Sequence, residues 1–159
     1  MDVPSPIFST GNKLSLHSRS EWSSSFEFYD ITYTTTDAGR GCGGRIFNYA
    51  GSFTSPMYPN EYRNNTVCVW DITVPNGLKA ALTFPVFDIG TKKSCSYDYN
   101  VVKIYDVTST GEEVLSTTYC GGDDPAPFVA SSNRVIVKFI SSVNNIGTGW
   151  KANFDGRED

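Results

Sequence analysis

Four cysteines, Cys42, Cys68, Cys95 and Cys120, divide most of this 159-residue chain into segments of nearly equal length. None forms a Cys-x-x-Cys unit and the chain has a single histidine, so the ligands of a tetrahedral zinc site are not assembled. Two alternatives remain: free thiols in a reducing compartment, or two disulfides in an oxidising one. Four cysteines allow three pairings, and spacing does not choose among them. Joining Cys42 to Cys68 and Cys95 to Cys120 closes two loops of similar size. The chain-entropy model credits each such bridge with roughly 3–4 kcal/mol. Asn64-Asn65-Thr66 is an acceptor triplet for N-glycosylation at Asn64. With an even cysteine count and a Ser/Thr/Asn-rich surface, it favours the oxidising compartment.

Composition narrows the function classes. Hydrophobic residues make up 39% of the chain, enough for a packed core and too many for a disordered segment. Lys and Arg total 13 against 17 Asp and Glu, a net charge of -4. That balance argues against a dedicated nucleic-acid binder and against a polybasic membrane anchor. No stretch approaches the roughly 20 apolar residues that span a bilayer, so no direct membrane insertion is expected. The opening residues, MDVPSPIFSTG, lack the basic start and apolar run of a secretory signal. The chain is therefore read either as not exported or as an internal piece of something longer.

The strongest internal signal is a partial repeat. Shifted forward by 121 positions, Pro6 falls on Pro127, Asn12 on Asn133, Lys13 on Arg134, Leu14 on Val135 and Leu16 on Val137. Ser20 then meets Ser141, Tyr29 meets Trp150, Ile31 meets Ala152 and Tyr33 meets Phe154, without a gap. A constant offset through alternating apolar positions predicts that residues 1–34 are the end of a preceding unit. Residues 35–41, small, polar and Gly-containing, read as a linker. Residues 42–155 read as a complete unit, and 156–159 as a tail.

Within the complete unit the periodicity is that of strands. Residues 78–87 place Ala80, Leu82, Phe84 and Val86 on one face, and Pro85 removes a backbone donor, so a bulge or an edge is expected there. Residues 101–105 form a short β-branched and aromatic run. Residues 134–139 set Val135, Val137 and Phe139 against Arg134, Ile136 and Lys138, and residues 149–154 align Trp150, Ala152 and Phe154. Short strands separated by turn signals predict an all-β sandwich of two packed antiparallel sheets. The first segment supplies two expected strands, 13–17 and 29–33, which alone are marginal in water. Trp70, in Val-Trp-Asp-Ile, is expected in the core with its indole N–H hydrogen-bonded. Tyr58, Pro59 and Tyr62 are expected to fix a turn by packing.

Residues 42–154 resemble a CUB domain, an extracellular jelly-roll-like β-sandwich module. The resemblance rests on Cys42-Gly43-Gly44, Gly51, Ser55-Pro56-Met57-Tyr58-Pro59-Asn60-Glu61-Tyr62 and Val67-Cys68-Val69-Trp70-Asp71-Ile72. It continues through Phe87-Asp88-Ile89, Cys95-Ser96-Tyr97-Asp98-Tyr99, Val102-Lys103-Ile104-Tyr105-Asp106, Tyr119-Cys120-Gly121, Ser131-Ser132-Asn133-Arg134 and Gly149-Trp150. Residues 6–33 look like the end of a second such domain, and tandem units of this kind resemble multi-CUB endocytic receptors.

The resemblance implies a pairing of Cys42 with Cys68 and Cys95 with Cys120. It also raises calcium, which many CUB domains hold with three carboxylates. Here the middle position is Asp98, but the first holds Gly90 and the last holds Ser142. Without that charge no resident metal is expected, and Asp98 reads as capping backbone donors or pairing with Lys92 or Lys93. Asn144 and Asn145 offer only neutral oxygens. Catalysis is not expected: the sole histidine, His17, lies in the partial unit, and no HExxH, P-loop or dinucleotide fingerprint occurs.

The expected function is a noncatalytic, extracellular protein-binding module of a tandem CUB ectodomain, contributing to ligand capture and endocytosis. Its expected partners are extracellular protein ligands and neighbouring CUB domains. The alternatives are a structural spacer in the array, and an accessory domain of a secreted protease or developmental regulator.

Overall fold

The structure is a computed structural model that describes residues 7, 14–17, 31, 41–90, 95, 100–143 and 147–158. Nine strands follow in order: β1 Gly44–Phe47, β2 Ala50–Thr54, β3 Val67–Thr73, β4 Lys79–Asp88, β5 Val101–Val107, β6 Glu113–Tyr119, β7 Phe128–Val129, β8 Arg134–Ile140 and β9 Gly149–Arg157. They form a five-stranded sheet ordered β1-β3-β8-β5-β6 and a four-stranded sheet ordered β2-β9-β4-β7. Every pairing is antiparallel except that of β1 with β3, which is parallel. Among the described residues no helix is long and apolar enough to cross a membrane.

Strict alternation explains how the sheets face each other. Cys68, Trp70 and Ile72 of β3 are buried, while Val67 before them and Val69 between Cys68 and Trp70 are exposed. Val135, Val137 and Phe139 of β8 and Trp150, Ala152 and Phe154 of β9 are likewise buried, because period two sends every second side chain inward. Ile136, on the opposite face of β8, is 8% exposed, set between its register partners Asp71 and Tyr105.

Trp150 is the hub of the interior. Its ring lies 5.5 Å from Phe53, 5.1 Å from Trp70, 5.8 Å from Phe84 and 5.9 Å from Phe139, all edge-on. Such pairs contribute about 0.5–1.5 kcal/mol each beyond area burial. The residue before it must be glycine: Gly149 has φ +97° and lies against Ser55. That close approach lets Trp150 N donate to Ser55 Oγ at 3.0 Å, while Ser55 N donates to the Trp150 carbonyl at 2.9 Å.

Pro85 acts as its chemistry requires. The β4–β9 register shifts between Thr83 and Val86, and β7 pairs only with Ala81 and Leu82, leaving the Pro85 side of β4 at an edge. The shift corrects one expectation. Val86 is 37% exposed and Phe87 takes the inward position, because one extra residue reverses the phase of a period-two pattern.

Two further differences concern the ends. Alternation runs past Phe154, with Gly156 buried and pairing with Ala80, so β9 carries residues 155–157 as well. Residues 14–17, expected in a strand, are exposed and take part in no strand pairing among the described residues; an apolar strand face is stable only against a partner, and a lone pair of strands is marginal. Residue 13, and 29–33 apart from Ile31, lie outside the described residues.

Replacing Trp150 with Ala is expected to destabilise the domain by about 3–5 kcal/mol in chemical denaturation. Val129→Ala, at a half-exposed site on β7, should stay within about 0.5 kcal/mol of the parent.

Candidate functional site

The sheet registers sort the loops into two ends. At one, the β2–β3, β4–β5 and β8–β9 connections meet, beside the position where Cys42 leads into β1. At the other lie the β1–β2 and β3–β4 turns and the end of β9. The first end carries most of the residues singled out from sequence.

Cys42 and Cys68 are bridged with an S–S distance of 2.02 Å, tying the approach to β1 onto β3. Cys95 and Cys120 are bridged as well, joining the β4–β5 connection to the residue after β6. No cysteine is free. Trp70 is 3% exposed and lies in the core beside Phe53 and Trp150. Tyr58-Pro59 is a cis peptide in the β2–β3 connection. Tyr62, from the same connection, is buried edge-on to Phe139 at 4.9 Å. Burial, with the charges of Asp88 and Glu61 nearby, raises the Tyr62 phenol above its ordinary value. Asn64 is exposed on the same loop.

The loop end is stitched by direct hydrogen bonds. Ser141 Oγ accepts from Thr66 N at 2.9 Å and donates to the Arg63 carbonyl at 2.6 Å. Ser141 N donates to the Thr66 carbonyl, and Asn65 N to the Ser142 carbonyl. Ser142 N donates to Asn100 Oδ1 at 2.9 Å. Asp88 accepts from Gly90 N at 3.2 Å, Thr148 N at 3.2 Å and Thr148 Oγ1 at 3.0 Å. Burial pushes the Asp88 carboxyl upward, yet these three donors outweigh it and hold the group below its ordinary value. Sequence reasoning missed Asp88, Asn100, Ser141 and Thr148 as a set. Their only local signal was Asp88 inside Phe87-Asp88-Ile89.

The described residues at this end do not by themselves supply the ligands of a calcium ion. Gly90, at φ +98°, brings no side-chain oxygen. The Ser142 amide and carbonyl are spent on Asn100 and Asn65, and Asp88 is occupied by donors. Asp98, Lys92, Lys93, Asn144 and Asn145 lie outside the described residues. Among the described residues no three His, Cys, Asp or Glu side chains group to hold a metal.

Two further surfaces stand out. On the outer face of the five-stranded sheet, Arg134 forks onto Asp71 at 2.8 and 2.9 Å, with Arg45 3.8 Å from the same carboxylate. At the far end an apolar groove of about 230 Å³ is lined by Phe47, Asn48, Tyr49, Thr73, Val74 and Pro75. Phe47 and Tyr49 are each 58% exposed there.

This two-sheet sandwich with two sequential disulfides defines an extracellular β module. The CUB domain family model matches residues 42–154, and the chain belongs to the CUB domain family. The cubilin homolog of Drosophila melanogaster is 37% identical over 158 residues, covering 98% of this chain and 4% of that protein. Human (Homo sapiens) cubilin is 40% identical over 154 residues, 96% of this chain and 4% of cubilin. The chain thus spans a small fraction of the curated relatives it matches. Among solved structures, the crystal structure of the MASP-1 CUB2 domain bound to Ca2+ is similar with a TM-score of 0.59 and 27% identity, covering 72% of this chain and 99% of that one.

Because Asp88 titrates lower in the folded state than unfolded, its stabilisation is present above about pH 4 and disappears as pH falls through the folded value. Asp88→Asn should therefore lower the unfolding midpoint at pH 7, and the gap to the parent should close in acid. Thermal unfolding at stepped pH checks this. Adding millimolar Ca2+ to chelator-treated protein should leave the midpoint unchanged; a rise would show that residues near Asp98 complete a site.

Proposed function

We propose that this CUB domain is a noncatalytic protein-binding module in the ectodomain of a tandem-CUB receptor, where it contributes to capturing protein ligands for endocytosis. The observation that carries this reading is the extent of the likeness to the cubilins. It covers nearly the whole chain, including residues ahead of Cys42, and so extends beyond the 42–154 domain match. With the 121-residue offset in the sequence, this supports reading 1–34 as the end of a preceding CUB unit and 35–41 as a linker.

CUB domains are generally non-catalytic binding modules, and the chemistry here accords with that. The four cysteines are consumed in disulfides, and Asp88 is committed to holding loops. His17 is exposed outside the CUB match. The surfaces left for recognition are the outer sheet face around Asp71 and Arg134, and the apolar groove at Phe47 and Tyr49.

A spacer role is the second reading. The chain comes into the domain at the loop end, by Cys42, and leaves at the other end, by Arg157. The nine residues of β9 span about 30 Å at strand rise, so the module sets a fixed separation between whatever flanks it.

An exchange experiment separates the two. In cells displaying the parent receptor, this unit is replaced by another CUB unit of the same array. Loss of uptake of at least one protein ligand is the expected result. Unchanged uptake of all ligands would assign the unit to spacing.

A further inference from the structure

We infer that Asn64 carries an N-linked glycan attached during synthesis, within the interval before the β8–β9 loop arrives, and that the folded domain is closed to the reaction. This rests on the extracellular route the domain takes and is independent of the receptor reading.

The acceptor triplet is an integral part of the loop end. Asn64 Nδ2 donates to the Val143 carbonyl at 2.8 Å. Asn65 N donates to Ser142, and Thr66 is joined to Ser141 through both its amide and its carbonyl. Thr66 is 4% exposed, and its hydroxyl donates to the Asn64 carbonyl at 3.3 Å. Asn65 is held at φ +52°, a left-handed conformation that few residues other than glycine adopt and that asparagine tolerates. A transferase must reach the threonine hydroxyl and draw the asparagine amide into its own site. Once 141–143 have docked, the Asn64 amide is held by Val143, and Thr66 is buried with its backbone bonded to Ser141 and its hydroxyl turned onto the Asn64 carbonyl.

Timing provides the opening. Asn64 and Val143 are 79 residues apart. At about 5–20 residues per second, roughly 4–16 s pass between the synthesis of the acceptor and of its lock. The Cys42–Cys68 bridge does not set this interval, since both its cysteines precede 141–143 by more than 70 residues in sequence.

The chemistry balances with a lipid pyrophosphate-linked oligosaccharide as donor. The Asn64 amide nitrogen attacks C1 of the first sugar, and the C1–N bond forms as the C1–O bond to pyrophosphate breaks. The bonding pair leaves with the lipid pyrophosphate, and one amide proton passes to a base of the transferase. The substituted nitrogen keeps one N–H, which is what the bond to Val143 requires. The exposed Asn64 therefore accepts the sugar without losing its place in the fold. The glycan then stands over the loop end beside Val143, itself 60% exposed.

The test has two arms. Chain secreted from a eukaryotic host should lose the mass of one oligosaccharide on treatment with peptide N-glycosidase. Asn64→Gln and Thr66→Ala should abolish that loss, and Thr66→Ser, which preserves the acceptor, should retain it. In the second arm, unglycosylated protein is refolded with its disulfides formed and incubated with oligosaccharyltransferase and lipid-linked donor. It should be modified at least tenfold more slowly than the same chain reduced and denatured. An unmodified secreted chain would overturn the site. Equal rates for folded and denatured protein would overturn the timing.

Discussion

The contact of Trp150 with both sheets is what the rest of the domain depends on. Trp150 belongs to β9 in the four-stranded sheet, with Phe53 and Phe84 beside it. Across the interior it meets Trp70 and Phe139 of the five-stranded sheet. A sandwich is stable only when its two apolar faces exclude water from each other, and one ring touching four others from four strands makes that exclusion cooperative. The arrangement has a cost: among the described residues no acceptor meets the buried Trp150 Nε1. An unsatisfied buried donor costs about 1–3 kcal/mol, so the four ring contacts and the area they bury must exceed it.

From this centre the ends of the sandwich follow. β9 fixes β2 and β4 at its flanks, β3 and β8 pair across the facing sheet, and the loops joining them are brought together at one end. There Gly90 and Ser142 bring no carboxylate. Direct hydrogen bonds donated by Ser141 and accepted by Asn100 and Asp88 hold the loops. These bonds and the two disulfides tie the loops of this end to the sheets that carry them.

The parts of this fold legible in the sequence were those set by local periodicity. β8 and β9 could be read from alternation because each faces the core along its length. The Pro85 irregularity was legible because proline cannot donate to a ladder, although its consequence for Val86 and Phe87 was not. β6 gave no clear period: it is an edge strand with Val114 and Leu115 both exposed, so neither face had to be apolar. β7 has two residues, too few for any pattern. The loop-end stitching was hidden for a different reason. Thr66 and Ser141 are 75 residues apart, and a serine with a partner that distant looks like any other surface serine until the chain is folded.

Native-state hydrogen exchange tests the central claim most directly. If the Trp150 cluster unites the two sheets, the slowest amides should fall in β3, β8, β9 and β4 together and open with one common free energy. Slow exchange confined to the strands of one sheet, with the other opening at markedly lower energy, would contradict it.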